Sequence, residues 1–167
     1  MRILISDTSV LIDLERADLL EEMFLLPFEF AVPDLLFGRE LAGELGDKLL
    51  QLGLRIEELT SAELRRATAV NRKHAQLSVP DTFAFVIAES RGWGLLTGDG
   101  TLRSLALAEQ LDMHGVLWLF DQLADGNHVA FDRLHGGLSN LFAHPRCRLP
   151  GVEVRRRLIR FTTQCDQ

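Results

Sequence analysis

VPDTFAFVIAESRGWGLLTGDG, residues 79–100, decides the fold. It is entered through Ser78-Val79-Pro80-Asp81, which carries a capping Ser, a proline in the first turn and an early acid, all helix-start signals. The run from Thr82 to Ala88 is apolar almost all round, which predicts a helix buried on several sides. Gly94-Leu95-Leu96-Thr97 reads as a short buried strand, closed by the turn Gly98-Asp99-Gly100. A buried helix leading into a buried strand, with an acid at the start of one and the end of the other, is a building block of an α/β fold.

The same alternation extends in both directions. Upstream, residues 2–6 predict a strand, Thr8 to about Leu14 a helix, about 17–25 a second helix and Phe28 to Val32 another strand. Pro33 suits the first turn of a helix running to about Gly46, and Gly53 to Leu59 suggests a third strand. Thr60 with Glu63 forms a capping box that opens a helix to about His74. Downstream, a helix covers about 101–110, a short strand 114–116, and a helix follows through Asp125. A helix at about 128–142, a Pro-bounded connector at 144–150 and a final amphipathic helix with Val154, Leu158 and Phe161 on one face complete the chain. The expected architecture is a mainly parallel sheet in an α/β domain at 1–125, with a helical extension at 126–167 packed on it. Phenylalanines 24, 28, 30, 37, 83 and 85 fit core packing better than base stacking.

Composition narrows the class. With 167 residues and 47% hydrophobic content, the chain is long enough to bury a sizeable core. No apolar run reaches the roughly 18–20 residues that cross a bilayer, and no signal segment precedes the first strand, so a cytoplasmic protein is expected. Cys147 and Cys165 form no metal-binding spacing and read as reduced thiols. The five histidines, 74, 114, 128, 135 and 144, show no ligand spacing, and there is no Gly-rich phosphate loop. The net charge of −6 is unevenly spread: residues 144–167 hold six Arg against Glu153 and Asp166, a net of +4, which leaves −10 elsewhere. That tail is either a surface for an anionic partner or the solvated face of a terminal helix.

Four acids stand at special places: Asp7 after the first strand, Glu40 in a mid-chain helix, Asp81 at a helix start and Asp99 after a later strand. Taken singly, Asp7 and Asp81 have local roles as helix-start acids, and Asp99 as a turn residue. Glu40 follows Leu36 and Phe37 by four and three positions, which places it at or near the apolar stripe, where an unpaired carboxylate is costly. Glu44, one turn on, is the alternative ligand. Ligands of α/β sheets bind beyond the carboxyl ends of strands, where Asp7 and Asp99 lie. Two carboxylates ~5 Å apart repel by roughly 3 kcal/mol at an effective dielectric of 20. Gathered together, they would hold protons or a hard cation such as Mg²⁺ or Mn²⁺, the kind of ion that activates water for phosphodiester hydrolysis.

The segments ILISDTSVLIDL (3–14), VPDLLFGREL (32–41) and VPDTFAFVIAESRGWGLLTGDGTLRSLA (79–106) resemble the PIN-domain family, which includes the ribonuclease toxins of bacterial toxin–antitoxin pairs. The resemblance covers about residues 2–125. It implies a three-layer α/β fold with a parallel sheet in order 3-2-1-4-5 flanked by helices. It also implies that Asp7, Glu40, Asp81 and Asp99 are the catalytic, metal-binding acids for Mg²⁺ or Mn²⁺. Thr8, Ser9 and Thr97 match polar positions near the family's site, where they hold waters or orient carboxylates unless they only cap local backbone. The implied activity is RNA cleavage by a homodimer, with a cognate antitoxin as possible inhibitor. Arg155, Arg156, Arg157 and Arg160 are candidate contacts to RNA, to a partner or to the chain's own acidic surface.

Other classes fit less well. A haloacid-dehalogenase phosphatase needs a second Asp where Ser9 stands, and a response-regulator receiver needs a paired acid at the first strand and a Lys at the last. A non-catalytic RNA- or protein-binding module on the same scaffold is the alternative from a different class.

Overall fold

A computed structural model describes residues 1–163. Cys165 and Asp166, which entered the expectations on thiols and tail charge, lie outside the described residues. The chain forms two compact units: residues 1–10 with 27–114, and residues 11–26 with 115–167. The segment after residue 125 therefore groups with 11–26 and 115–125.

The first unit is built on five parallel strands: β1 (Arg2–Ser6), β2 (Phe28–Pro33), β3 (Arg55–Glu57), β4 (Gly94–Leu96) and β5 (Met113–His114). Their order is β3-β2-β1-β4-β5, as the resemblance implied. β1 is central because Leu4 and Ile5 point to opposite faces and both are fully buried, as a strand covered on both sides requires. It pairs Leu4 with Phe30 on one side and with Gly94 on the other. Strand order reverses at β1, so the carboxyl ends of β1 and β4 meet at the switch point where such sheets hold ligands.

Helices α5 (Ser61–Lys73), α6 (Val79–Arg91) and α7 (Gly100–Ala108) carry the core. The apolar run of α6 is buried as its sequence demanded, with Ala84, Phe85, Val86 and Ile87 packed alongside Ile5, Ala31 and Leu95. Both expected caps form. Thr60 and Glu63 make a reciprocal capping box, and the Ser78 hydroxyl accepts from the Asp81 amide.

The mid-chain helix differs from expectation. Pro33 ends β2, and the single helix expected to run to about Gly46 is three pieces: α3 (Asp34–Leu36), a π-helical turn (Phe37–Leu41) and α4 (Glu44–Leu52). The Ala42 amide reaches back five residues to the Phe37 carbonyl at 2.9 Å, and Gly43 at φ +123° breaks the path before α4 starts.

The second unit holds most of α1 (Thr8–Arg16), with α2 (Leu20–Met23), α8 (Val116–Asp125), α9 (Phe131–Ala143) and α10 (Gly151–Thr163). α2 is shorter than the nine residues expected, because Asp18 takes a left-handed turn at φ +56° that delays its start. Phe161 of α10 stacks on Phe120 of α8 and meets Phe131 of α9 edge-on, with ring centroids 6.5 and 5.5 Å apart. Gly137 of α9 lies so close to the Ala17 carbonyl that a Cβ there would sit 2.7 Å from the oxygen.

One ion-pair cluster locks α5 to α6. The Arg91 guanidinium donates to both carboxylate oxygens of Glu63, to Glu57 and to the Glu58 carbonyl, and it lies over the Trp93 ring. Glu63 is 5% exposed, and Arg91 holds its carboxyl down at about 2 against the opposing effect of burial. A carboxylate depressed in this way adds stability above its unfolded value of 4.5 and loses it as pH falls through about 2. Glu63→Gln is therefore expected to cost roughly 2–3 kcal/mol at pH 7 and much less near pH 2, measured by urea unfolding at both.

Candidate functional site

The site grows from the end of β1. Ser6 closes the strand fully buried and donates its hydroxyl to the Asp7 carbonyl at 2.8 Å. The Asp7 amide donates to the Leu96 carbonyl at 3.0 Å, so backbone pairing between β1 and β4 fixes where its side chain begins. Asp7 is only 2% exposed. One carboxylate oxygen, Oδ1, accepts from the Ser9 hydroxyl at 2.7 Å and the Val10 amide at 3.3 Å, and Oδ2 accepts from the Thr97 hydroxyl.

Those hydroxyls also hold the loop after β4. Thr97 Oγ1 accepts from the Asp99 amide at 3.0 Å, and Ser9 Oγ accepts from the Gly98 amide at 3.0 Å. Asp99 in turn caps α7, accepting from the Leu102 amide at 2.9 Å. Asp99 is thus a turn residue and helix cap, as its local pattern allows, while also facing Asp7 closely enough to repel its charge. Thr8 donates to a Glu40 carboxylate oxygen. Of the three hydroxyl residues flagged from sequence, all orient acids, and two of them bridge segments some ninety positions apart.

Glu40 corrects one expectation. It is exposed, outside the apolar stripe, because the π-helical turn breaks the four-residue stacking that would have lined it up with Leu36. Glu44 does not share its face either, since the break at Gly43 separates the two, and Glu44 is exposed at the start of α4. Ser6 and the Gly98 amide are additions. A hydroxyl ending an otherwise apolar strand and a glycine beside an acid were the available signals.

Charge ties the acids together. Burial pushes the Asp81 carboxyl up to about 6, and the negative charges of Asp7, Asp99 and Glu40 push the same way against the Ser78 hydrogen bond. Asp7 is raised too, chiefly by burial and further by Asp99, while Thr97, Ser9 and the Val10 amide oppose the shift. The other three sequence-flagged acids therefore all act on Asp81. Among the described residues, no three His, Cys, Asp or Glu side chains stand close enough to cage a metal. The oxygen-only donor set nonetheless suits a hard cation, and Mg²⁺ ordinarily takes only one or two carboxylates and keeps several waters.

The tail arginines are mostly engaged within their own unit. Arg157 pairs with Asp121 at 2.8 Å and Glu153 at 3.1 Å, and Arg160 pairs with Asp125 at 2.6 Å. Arg156 pairs with Glu153 but is 71% exposed, and Arg155 is exposed. No helix is long and apolar enough to cross a membrane among the described residues.

A carboxyl raised in the fold favours the folded state below its unfolded value of 3.8, and that advantage is lost as pH rises through about 6. Without divalent ions, Asp81→Asn is therefore expected to stabilise the protein at pH 8, by roughly 1–3 kcal/mol, and to make little difference at pH 3.5. Thermal melts in EDTA across that range test this; an unchanged or lowered melting temperature at pH 8 would show that Asp81 is not repelled.

Compared with known proteins, the chain matches the profile of a family described as PIN domain over residues 3–162. The match runs past the 2–125 span of the motif resemblance and takes in the C-terminal helices. No curated protein matches the chain.

Proposed function

The chain belongs to the PIN-domain family, whose members are generally nucleases, and on that premise we propose that it is an endoribonuclease that hydrolyses RNA phosphodiester bonds with Mg²⁺ or Mn²⁺. The observation that carries this reading is the negative charge of Asp7, Asp99 and Glu40 bearing on Asp81, and of Asp99 on Asp7, at the carboxyl end of the sheet. Carboxylates whose charges oppose one another are stabilised by a cation, and the raised carboxyls of Asp7 and Asp81 mark groups poised for chemistry. A divalent ion held there would polarise the phosphate and lower the pKa of an attacking water.

The chain's own residues have distinct roles in this scheme. Asp7 is the fixed member, its two oxygens aimed by Ser9, Val10 and Thr97. Asp81 and Asp99 are half-buried and Glu40 is exposed, so these three face an incoming phosphate more freely. With its carboxyl near 6, Asp81 can accept or return a proton close to neutral pH. Thr8 keeps Glu40 turned toward the first helix, and Thr97 couples Asp7 to the backbone of Asp99. Arg155 and Arg156 have the exposure that RNA or partner contact requires, more so than Arg157 and Arg160.

Finer readings go with this one. We propose that the protein is the toxin of a type II toxin–antitoxin pair, acts in the cytoplasm as a homodimer and is inhibited by a cognate antitoxin. The motif resemblance at 3–14, 32–41 and 79–106 supports them. A small DNA-binding protein encoded in the adjoining reading frame would support the toxin reading.

The test is cleavage of a mixed RNA pool by wild type, Asp7→Asn and Asp99→Asn, each with Mg²⁺, with Mn²⁺ and with EDTA. Wild type is expected to cut only with metal, and each variant to lose about 100-fold or more. Equal cleavage in every arm would mean a contaminating nuclease and reject the assignment. Metal binding has its own readout. Mg²⁺ or Mn²⁺ should raise the melting temperature of wild type at pH 8 and much less at pH 5, because protons then compete for the acids. No shift at either pH would remove the metal from the scheme.

A further inference from the structure

We propose that the groove between α5 and α6 is the docking surface for single-stranded RNA on its way to the acidic centre. This rests on the ribonuclease reading above.

The chain carries 24 Asp and Glu, yet no acid lines this groove of about 460 Å³. Its apolar surface is made by Leu64, Ala67, Val79 and Phe83, and Thr68 and Arg72 edge it. Leu64 and Val79 are 45% and 41% exposed, unusual for large apolar side chains flanking a core helix. Arg65, Thr68 and Arg72 follow one another at three- and four-residue spacing, so they form a single stripe along α5. The two arginines are seven positions apart, about 10 Å along the helix axis. Both are exposed, and among the described residues no ion pair engages either.

A cationic edge beside an apolar shelf is the combination that single strands use. The cations follow the phosphates, and unpaired bases lie against the apolar shelf, where Phe83, packed against the core as its sequence suggested, still leaves part of its side chain lining the groove. A duplex keeps its bases stacked and gains nothing from the shelf. A strongly acidic protein needs local cations to offset repulsion of RNA, and the tail supplies fewer than its sequence suggests. Arg157 and Arg160 are already neutralised by Asp121, Asp125 and Glu153.

The groove also leads to the right place. Asn71 donates to the Leu77 carbonyl and to the Thr82 hydroxyl, tying the last turn of α5 to the first turn of α6. Val79 and Asp81 belong to that first turn but project from different sides of it. A strand leaving the groove beside Arg72 and crossing the end of α6 arrives at Asp81.

The experiment is fluorescence anisotropy of a labelled mixed-sequence 12-nucleotide RNA in EDTA, over a salt series. The proteins are wild type, the double variant Arg65→Gln/Arg72→Gln, and Leu64→Glu, which keeps a good helix former on an exposed site and puts a repelling charge in the groove. Circular dichroism checks that all are folded. The double variant should flatten the slope of log affinity against log salt by about 1.4, at about 0.7 for each lost phosphate contact, and weaken binding at least about tenfold at low salt. Leu64→Glu should weaken binding by about fivefold or more. The same sequence annealed to its complement should bind wild type less well than the single strand. Unchanged slope and affinity in folded variants, while wild type binds and cuts RNA, would overturn the groove but spare the nuclease reading. Wild type that neither binds nor cuts RNA would overturn both. Loss of self-association in Leu64→Glu with RNA affinity unchanged would give the groove to a protein neighbour and overturn the proposal.

Discussion

A carboxylate removed from water at the end of a central strand is the constraint on which the rest of the site depends. Asp7 is almost fully buried, and a bare negative charge there would be prohibitively costly. The fold answers with three donors: the Ser9 and Thr97 hydroxyls and the Val10 amide. These do more than satisfy one side chain. The same two hydroxyls accept from the amides of Gly98 and Asp99, so stabilising Asp7 also sets the position of the loop that carries the second acid. The compensation is incomplete, since Asp7 still sits above the ordinary carboxylate range. A fold optimised only for stability would place a neutral residue there.

The scaffold that tolerates this stress is rigid where it must be. β1 is covered on both faces and paired on both edges, and α6 is buried along most of its length. Asp81 leaves from the first turn of that helix, whose start is fixed by Ser78 and by the link from Asn71 to Thr82. The far end of α6 is fastened through Arg91 to Glu63. Two of the acids therefore project from elements with little freedom, and a third from a helix cap. Glu40 differs. It sits on a π-helical turn, a wider and less regular geometry found often at functional sites, and it is the most exposed of the four.

Charge is distributed to match. Acids converge at the strand ends, while Arg156, Arg157 and Arg160 of α10 pair with Asp121, Asp125 and Glu153 within their own unit. Exposed arginines outside any ion pair among the described residues also lie on α5, beside an apolar groove free of acids. Net charge alone would argue against an anionic substrate for this chain. The local arrangement removes that objection, because screening confines the influence of distant charges to about 10 Å at moderate salt.

The architecture was legible in the sequence because the signals for it are local. Alternating buried strands and helices, the Thr60–Glu63 capping box, the Ser78 cap and the Gly98-Asp99-Gly100 turn each depend on residues a few positions apart. The same locality put Asp7, Asp81 and Asp99 at strand ends and helix starts. The motif resemblance supplied the strand order, which periodicity does not encode. Tertiary structure decided the rest. A four-residue spacing rule placed Glu40 inward, and a backbone that reaches five residues across turned it outward. Ser9 and Thr97 looked equally suited to local capping until folding brought them to opposite oxygens of one carboxylate. Whether the tail arginines meet an outside partner or the chain's own acids was left open by the sequence, because the α8 partners of Arg157 and Arg160 lie some 35 positions away. Hydrogen bonds and ion pairs form between groups that meet in space, and a one-dimensional pattern reports only on neighbours along the chain.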